Sequence, residues 1–479
     1  MGIWLGRMRP ALVACILCGL AACGGGGGSA GSSRGPIAPI PASPPPVAAY
    51  PDIPASDADA ARFLAQATFG PTTAEIARVR QIGYRSWLDE QLDAARTPPT
   101  LVLPHLQQLV ANGVPRDDLR QQHRRNAWLW QASSSPDQLR MRMAFALSEI
   151  FVVSDREVAN PTNTLYRIAD YQDTLSRGAF GRYRDLLEQV TLHPAMGYFL
   201  SHAGNSKADP ARNTTPDENY GRESMQLFSL GLLKRNKDFS PALDASGNTV
   251  PTYDEKVVSA MARVYTGWTY AGQSDAQFGR RNDTSYAPME CHPRFHDDQP
   301  KRIFNDIVVD AGSDCVASLK RTLDALAAHP NVAPFISRQL IQRFVTSNPS
   351  AAYVGRISDV WLSTNGAMGP VVRAILLDDE ARVRPKGDGF GKAREPLIRL
   401  TTLWRAFGAR YVPPATGEIR FRFANAGDLT QPLSQDSLRA PSVFNFFDPD
   451  FRIPGSSATA GVYGPEFQIL TEATYTGML

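Results

Sequence analysis

Residues Thr215 to Leu233 read TPDENYGRESMQLFSLGLL. Thr215 and Glu218 stand three apart. That is the spacing of a capping box, in which a hydroxyl and a carboxylate satisfy backbone N–H groups at a helix start. Pro216 suits the first helical position. Asp217 and Glu218 put negative charge at the positive end of the helix dipole. Gly231 followed by Leu232 reads as a left-handed stop with its hydrophobic contact. The stretch therefore predicts one helix of about four turns. Asn219, Arg222, Glu223 and Gln226 recur at helical spacing and form a polar stripe. Tyr220, Met225, Leu227, Phe228 and Leu232 cover most of the remainder, and Leu230 with Leu233 continue the line of the stripe in apolar form. A line that begins polar and ends in leucine points a polar network into a cleft or a core.

Helix signals dominate outward from there. Ser56–Phe69 has an N-cap serine and acids in its first turn. Thr72 and Glu75 form a second capping box, leading to a helix that Gly83 stops, and Trp87–Leu92 begins another. Asp137–Val152 turns Met143, Leu147, Ile150 and Phe151 inward. Thr252 and Glu255 read as a third capping box, opening a helix with Val257, Met261, Val264, Tyr265 and Trp268 on one stripe. Asn331–Val345, Pro370–Asp378, Glu395–Phe407 and the segment from Glu466 onward also read helical. The one strand signal of note is Arg302–Val309, which predicts a small hairpin. The fold class is therefore mainly α: a large multi-helix domain, with room for two lobes and a small β-hairpin insertion.

The N-terminal residues have a different character. Arg7 and Arg9 precede an apolar run from Ala11 to Leu20, then Leu20-Ala21-Ala22-Cys23. A basic start, a short apolar stretch and small residues make a secretory signal, and the run is too short for a membrane span. Leu20 to Cys23 resemble a bacterial lipobox, so residues 1–22 are expected to leave as a signal peptide and Cys23 to carry the lipid. The glycine at position 24 matches the outer-membrane default of Gram-negative lipoproteins. Residues 23–55, rich in Gly and then Pro, form a tether, and residues 56–479 the folded domain. The closing residues TEATYTGML keep a helical pattern without a polar tail, an expectation that the domain runs on past Leu479.

The full chain has 50 Lys and Arg against 47 Asp and Glu. With the two signal arginines gone the balance is nearly neutral, which speaks against a nucleic-acid partner. Cys15 and Cys18 leave with the signal. Cys291 and Cys315 remain in the folded part, where an oxidising compartment favours a disulfide.

Several stretches occur together in a telling order. They are ARFLAQATFGPT (Ala61–Thr72), HPAM (His193–Met196), ENYGRESMQLFSLG (Glu218–Gly231), ARVYTGW (Ala262–Trp268), FHDD (Phe295–Asp298), FISRQLIQRFV (Phe335–Val345) and the turn Arg394-Glu395-Pro396. In that order they resemble a bacterial family described as domain of unknown function 1800, over about Ala58 to the C-terminus. Two positions depart from its pattern: Gly221 stands where the family has alanine, and Ser224 where it has leucine. The resemblance implies a secreted, mostly helical bacterial protein. It also implies a neighbour related to the sulfatase and alkaline-phosphatase fold as a partner, and it supplies no activity.

Three constellations carry chemistry. In the first, Glu223 has the chemistry of a general acid or base and Arg222 that of an anion clamp, with Asn219 and Gln226 beside them. The alternative is a buried network that fixes helix packing. In the second, His292, His296, Asp297 and Asp298 offer metal-ligand types without a strong zinc spacing. His296 and Asp297 equally suit an acid–base pair, or the whole is a polar loop. The third is His193 with Pro194 and His329 with Pro330, where a histidine at a helix end also serves the dipole. No nucleophile elbow, phosphate loop or dinucleotide fingerprint is present. The expectation is a cell-envelope lipoprotein with a non-catalytic surface or scaffold role and no cofactor. The alternative is a hydrolase acting on extracellular polymers, with Glu223, His296 and Asp297 as acid–base groups and Asn219, Arg222 and His193 as binding groups.

Overall fold

Apolar residues at helical spacing require facing partners, and the chain answers with helix upon helix. A computed structural model describes residues 50–156, 164–383, 389–421, 429–455 and 461–477. The helices are α1 (Asp57–Ala67), α2 (Thr73–Leu92), α3 (Val102–Ala111), α4 (Gln121–Ser134), α5 (Gln138–Ser148), α6 (Leu165–Gly178), α7 (Tyr183–Leu192), α8 (Pro194–Phe199) and α9 (Asn219–Gln226). They continue with α10 (Glu255–Val264), α11 (Cys315–Ala327), α12 (Val332–Phe344), α13 (Ala351–Ser363), α14 (Met368–Leu377), α15 (Asp379–Arg382), α16 (Pro396–Ala406), α17 (Thr430–Leu433) and α18 (Glu472–Gly477). Two antiparallel ribbons interrupt them. β1 (Trp268–Thr269) pairs with β2 (Glu290–Cys291), and β3 (Lys301–Arg302) with β4 (Val308–Val309). The second ribbon is the hairpin read from Arg302–Val309. Among the described residues no helix is long and apolar enough to cross a membrane.

Two of the expected caps form as the local sequence dictates. Ser56 accepts from the Asp59 N–H. The Thr72 hydroxyl accepts from Glu75 N at 3.1 Å and donates to the Glu75 carboxylate at 2.9 Å. The expected stop at Gly83 is a kink within α2, with φ 85° at that residue. Asp52 docks on the kink. Its carbonyl accepts from Tyr84 N at 3.1 Å, and its carboxylate accepts from Arg85 N at 3.1 Å. A Cβ at position 83 would collide with that carboxylate. Tyr50 meets Tyr84 edge-on with ring centroids 6.0 Å apart. The packed unit therefore already includes Tyr50 and Asp52.

Two other expected caps are corrected. α9 begins at Asn219, lasts eight residues, and its N-cap Glu218 makes no side-chain cap bond. Residues ahead of it are held instead by Asn205, whose side chain accepts from Asp217 N at 2.8 Å and donates to Asp217 O at 3.2 Å. Asp217 in turn accepts from Asn219 N at 2.8 Å. A long-range partner has displaced the local box. Likewise Asp254, not Thr252, caps α10, accepting from Val257 N at 3.0 Å. Thr252 is spent on the chain after α9, its hydroxyl on Gly231 O and its N–H on Leu232 O.

The interior has two hydrophobic cores with α5 between them. Leu139, Met143 and Leu147 of α5 enter the larger, formed with α1, α2 and the helices from α6 to α14. Met141 and Phe145 face the smaller, formed with α3, α4 and α16. There Phe69 and Trp128 stack edge-to-face at 5.7 Å. A helix buried on every side has no solvated face for its polar residues, so Arg140, Arg142 and Glu149 at its end lie inside the protein.

Candidate functional site

Helices α9 and α10 lie against each other at Gly221. A Cβ there would sit 3.1 Å from Ala262 N and 3.2 Å from Met261 Cβ, so glycine sets the approach. Ser224, the other departure from the family pattern, donates to Gly221 O at 2.9 Å and accepts from the Tyr265 hydroxyl at 3.3 Å. This close packing buries the next residue of the stripe. Glu223 is 7% exposed, and its Oε2 has no hydrogen-bond partner among the described residues. Burial pushes its pKa up to about 7, and the charge of Arg222 offsets only part of that. Arg222 itself turns outward, 3.3 Å from Glu218 and 3.2 Å from Glu255. Tyr253, whose hydroxyl is also buried without a partner, is raised to about 12 by burial. Asn219 is exposed at the start of α9, and Gln226 at the other end borders a groove.

The loop candidates are spent elsewhere. His296 is buried; its Nδ1 lies 2.8 Å from Thr266 O and its Nε2 2.9 Å from Ser318 Oγ. Burial lowers its pKa. Asp297 makes a two-pronged pair with Arg263, both contacts at 2.8 Å. That pairing outweighs burial and holds its carboxyl below the usual range. His292 reaches Asp275 at 2.7 Å. His193 caps α8 through Ala195 N at 3.1 Å and meets Asp170 at 3.3 Å. Among the described residues, no three His, Cys, Asp or Glu side chains are grouped to hold a metal ion. Cys291 and Cys315 form a disulfide with Cα atoms 5.8 Å apart, tying β2 to the first residue of α11.

Sequence reasoning missed a buried ionic cluster. Arg343 of α12 lies 3.0 Å from Glu149, Lys392 lies 2.9 Å from Glu466 and 3.7 Å from Glu395, and Arg142 lies 3.8 Å from Glu395. Gln435 donates to Glu395 at 2.8 Å. Burial and the neighbouring Glu395 carboxylate hold Glu149 well above the usual carboxyl range. Lys392 and Arg142 outweigh burial at Glu395 and hold it low. A signal was available: Arg142 and Glu149 stand two helical turns apart on an otherwise apolar run, and Gln339 and Arg343 interrupt FISRQLIQRFV at helical spacing.

Cavities open on the described surface. One, about 970 Å³, is bordered by Tyr253, Glu255, Arg263 and Arg302. Another, about 700 Å³, runs from Gln226 to Glu149 and Arg343, and two more measure about 490 and 280 Å³. None of the four is lined by Glu223, His296 or His193. Chemically, Glu223 combines a raised pKa with a buried oxygen that makes no hydrogen bond among the described residues.

The chain belongs to the family described as protein of unknown function (DUF1800), which it matches over residues 62–474. No curated protein and no solved structure matches it.

Proposed function

We propose that this member of the DUF1800 family is a lipid-anchored cell-envelope protein with a non-catalytic surface or scaffold role. What carries the reading is how the acid–base groups are used. Both nitrogens of His296 are bonded internally, Asp297 is clamped by Arg263, and His193 caps a helix. A general acid or base must come within hydrogen-bond reach of its substrate, and these groups face their own chain. The anchor rests on Leu20-Ala21-Ala22-Cys23 and the tether after it, which lie outside the described residues. The outer membrane of a Gram-negative bacterium is the proposed location. The proposed partner, from the family resemblance, is a secreted protein of the sulfatase and alkaline-phosphatase fold. Cys23→Ser should move the protein out of the membrane fraction. Retention there without a lipid label would overturn the anchor.

One observation favours the enzyme reading: Glu223 combines a pKa of about 7 with an unfilled oxygen. Under that reading it is the acid–base group of a hydrolase on extracellular polymers. The deciding experiment is an activity screen on polysaccharides, esters and peptides with wild type and Glu223→Gln. Absence of turnover by wild type is the expected result. Turnover that disappears in Glu223→Gln at unchanged melting temperature would replace the scaffold reading with the enzyme.

A further inference from the structure

Apolar exposure among the described residues is highest at the C-terminal end of α16 and on the loop after it. Phe407 is 83% exposed and Val412 88%, with Leu403, one helical turn before Phe407, at 51%. Behind them lies an aromatic cluster. Trp404 and Tyr411 meet Phe421 with ring centroids 4.9 and 5.6 Å away, and Trp130 of α4 meets Tyr411 at 5.9 Å. Of the tryptophans among the described residues, Trp130 and Trp404 alone are not buried. Folding hides apolar side chains where it can, so exposed ones gathered at one place mark a contact surface.

The loop holds its own shape. Gly408 N and Ala409 N donate to Arg405 O and Trp404 O at 3.2 and 2.8 Å, which closes the end of α16. The Tyr411 hydroxyl donates to Glu418 O at 3.1 Å and accepts from Arg420 N at 2.9 Å. Gly417 N donates to Pro414 O at 2.8 Å, and Pro413 and Pro414 carry no N–H. The tip therefore presents carbon on a backbone with several of its donors already satisfied, which lowers the cost of leaving water. Arg410 and Arg420 are exposed beside it, and the acid of the loop, Glu418, is buried. An apolar tip, half-buried Trp and Tyr behind it and arginine at the edge match the layering of side chains at a membrane–water interface.

The start of the folded unit lies close by. Arg405 of α16 grips the first turn of α2 through Glu75 at 2.6 Å. Tyr50 packs on Tyr84 of the same helix, about 14 Å further along by helix rise. The chain between Cys23 and Tyr50 extends to no more than roughly 90 Å, so a domain tethered through Cys23 keeps this patch within reach of the bilayer. We propose that Leu403, Phe407 and Val412 insert into the headgroup region of the membrane that carries the anchor and hold the domain against it. The choice of lipid as occupant rests on the lipid-anchor reading. The three side chains project and line none of the four cavities described above, a shape that fluid lipid wraps without a matching pocket. Their apolar bulk is about that of a single myristoyl chain, whose membrane binding is weak and reversible. The contact therefore orients a tethered domain and is lost on fractionation once the anchor is removed.

Co-sedimentation with vesicles of phosphatidylethanolamine and phosphatidylglycerol tests it, using the mature chain with Cys23→Ser, which cannot be acylated there. We expect this chain to partition onto the vesicles, and its tryptophan emission to shift to the blue as Trp130 and Trp404 lose water. Phe407→Ser should weaken partitioning roughly tenfold or more, the value of one phenylalanine returned to water. Its melting temperature should not change, because the side chain is almost fully exposed in the free protein. Leu362→Ser, at an exposed leucine of α13, should leave partitioning as it was. No partitioning by the Cys23→Ser chain, or partitioning that Phe407→Ser leaves intact, would overturn the proposal. So would a dimer in sedimentation velocity that Phe407→Ser dissociates, since a second copy would then be the occupant. The anchor reading fails separately, on an unlabelled Cys23 in cells, whatever the vesicles show.

Discussion

Glu223 is a carboxyl set among apolar neighbours, and its titration follows from that placement. Its folded pKa, about 7, lies above the ordinary value of 4.5. The neutral form is therefore the one the fold favours. Its contribution is fully present below pH 4.5 and is lost as pH rises through about 7. Glu223→Gln keeps a neutral side chain at every pH. We expect wild type and Glu223→Gln to melt together near pH 4.5 and the variant to melt higher at pH 8. Parallel melting curves across that range would show that the burial of Glu223 is not felt. Asn331 illustrates a polar residue used fully. Its amide donates to Leu230 O at 2.9 Å and to Leu233 O at 2.8 Å, and its oxygen accepts from Arg235 N at 3.0 Å. Asn331→Ala should cost about 3 kcal/mol, three hydrogen bonds at about 1 kcal/mol each. The measure is a lower urea midpoint at unchanged slope.

Between elements, two short connections hold what the helices alone do not. The disulfide closes a loop with a sequence separation of 24 residues and fixes β2 on α11. Cys291→Ser should cost about 3 kcal/mol in the chain-entropy account, read as a lower denaturant midpoint. An unchanged midpoint would mean that Trp268 and Leu319 packing already fixes the ribbon. The turn after α9 depends on Gly231, whose φ is 71°. A Cβ there would lie 2.8 Å from Phe335 Cε2. Gly231→Ala should cost roughly 2 kcal/mol through left-handed strain and the clash. Phe335 and Gly231 both border the 700 Å³ groove, so the same clash would alter its wall.

For the molecule as a whole, the start of the folded unit has consequences. Tyr50 and Asp52 close over the kink in α2. A chain begun just before Tyr50 should melt as the mature protein does. One begun at Ser56 loses the buried contacts of Tyr50 and the docking of Asp52, and should be less stable by about 2 kcal/mol. Equal unfolding midpoints for the two chains would count against a structural role for that strap.

What the sequence determined by itself was local. Strong helical periodicity placed α1, α2, α5, α10, α12, α14 and α16 close to where they lie. Ser56 and Thr72 cap as read, because their partners sit three residues away and nothing competes. The ribbon at Arg302–Val309, the cystine and the family were legible for the same reason: each depends on residue type and order along the chain. The tertiary structure decided wherever a distant group offered a better bond. Asn205 holds the chain at Asp217, ahead of α9, where the Thr215–Glu218 box was expected, and Gly231 O drew Thr252 out of its own. Arg263 took Asp297, and Thr266 with Ser318 took His296. Glu149, Arg343 and Glu395 come from segments about 50 to 250 residues apart, and only packing on a helix buried all round brings them together. Hydrogen bonds and ion pairs reach across space, whereas periodicity speaks only of neighbours along one helix, so the elements were readable in the sequence and their polar partners were not.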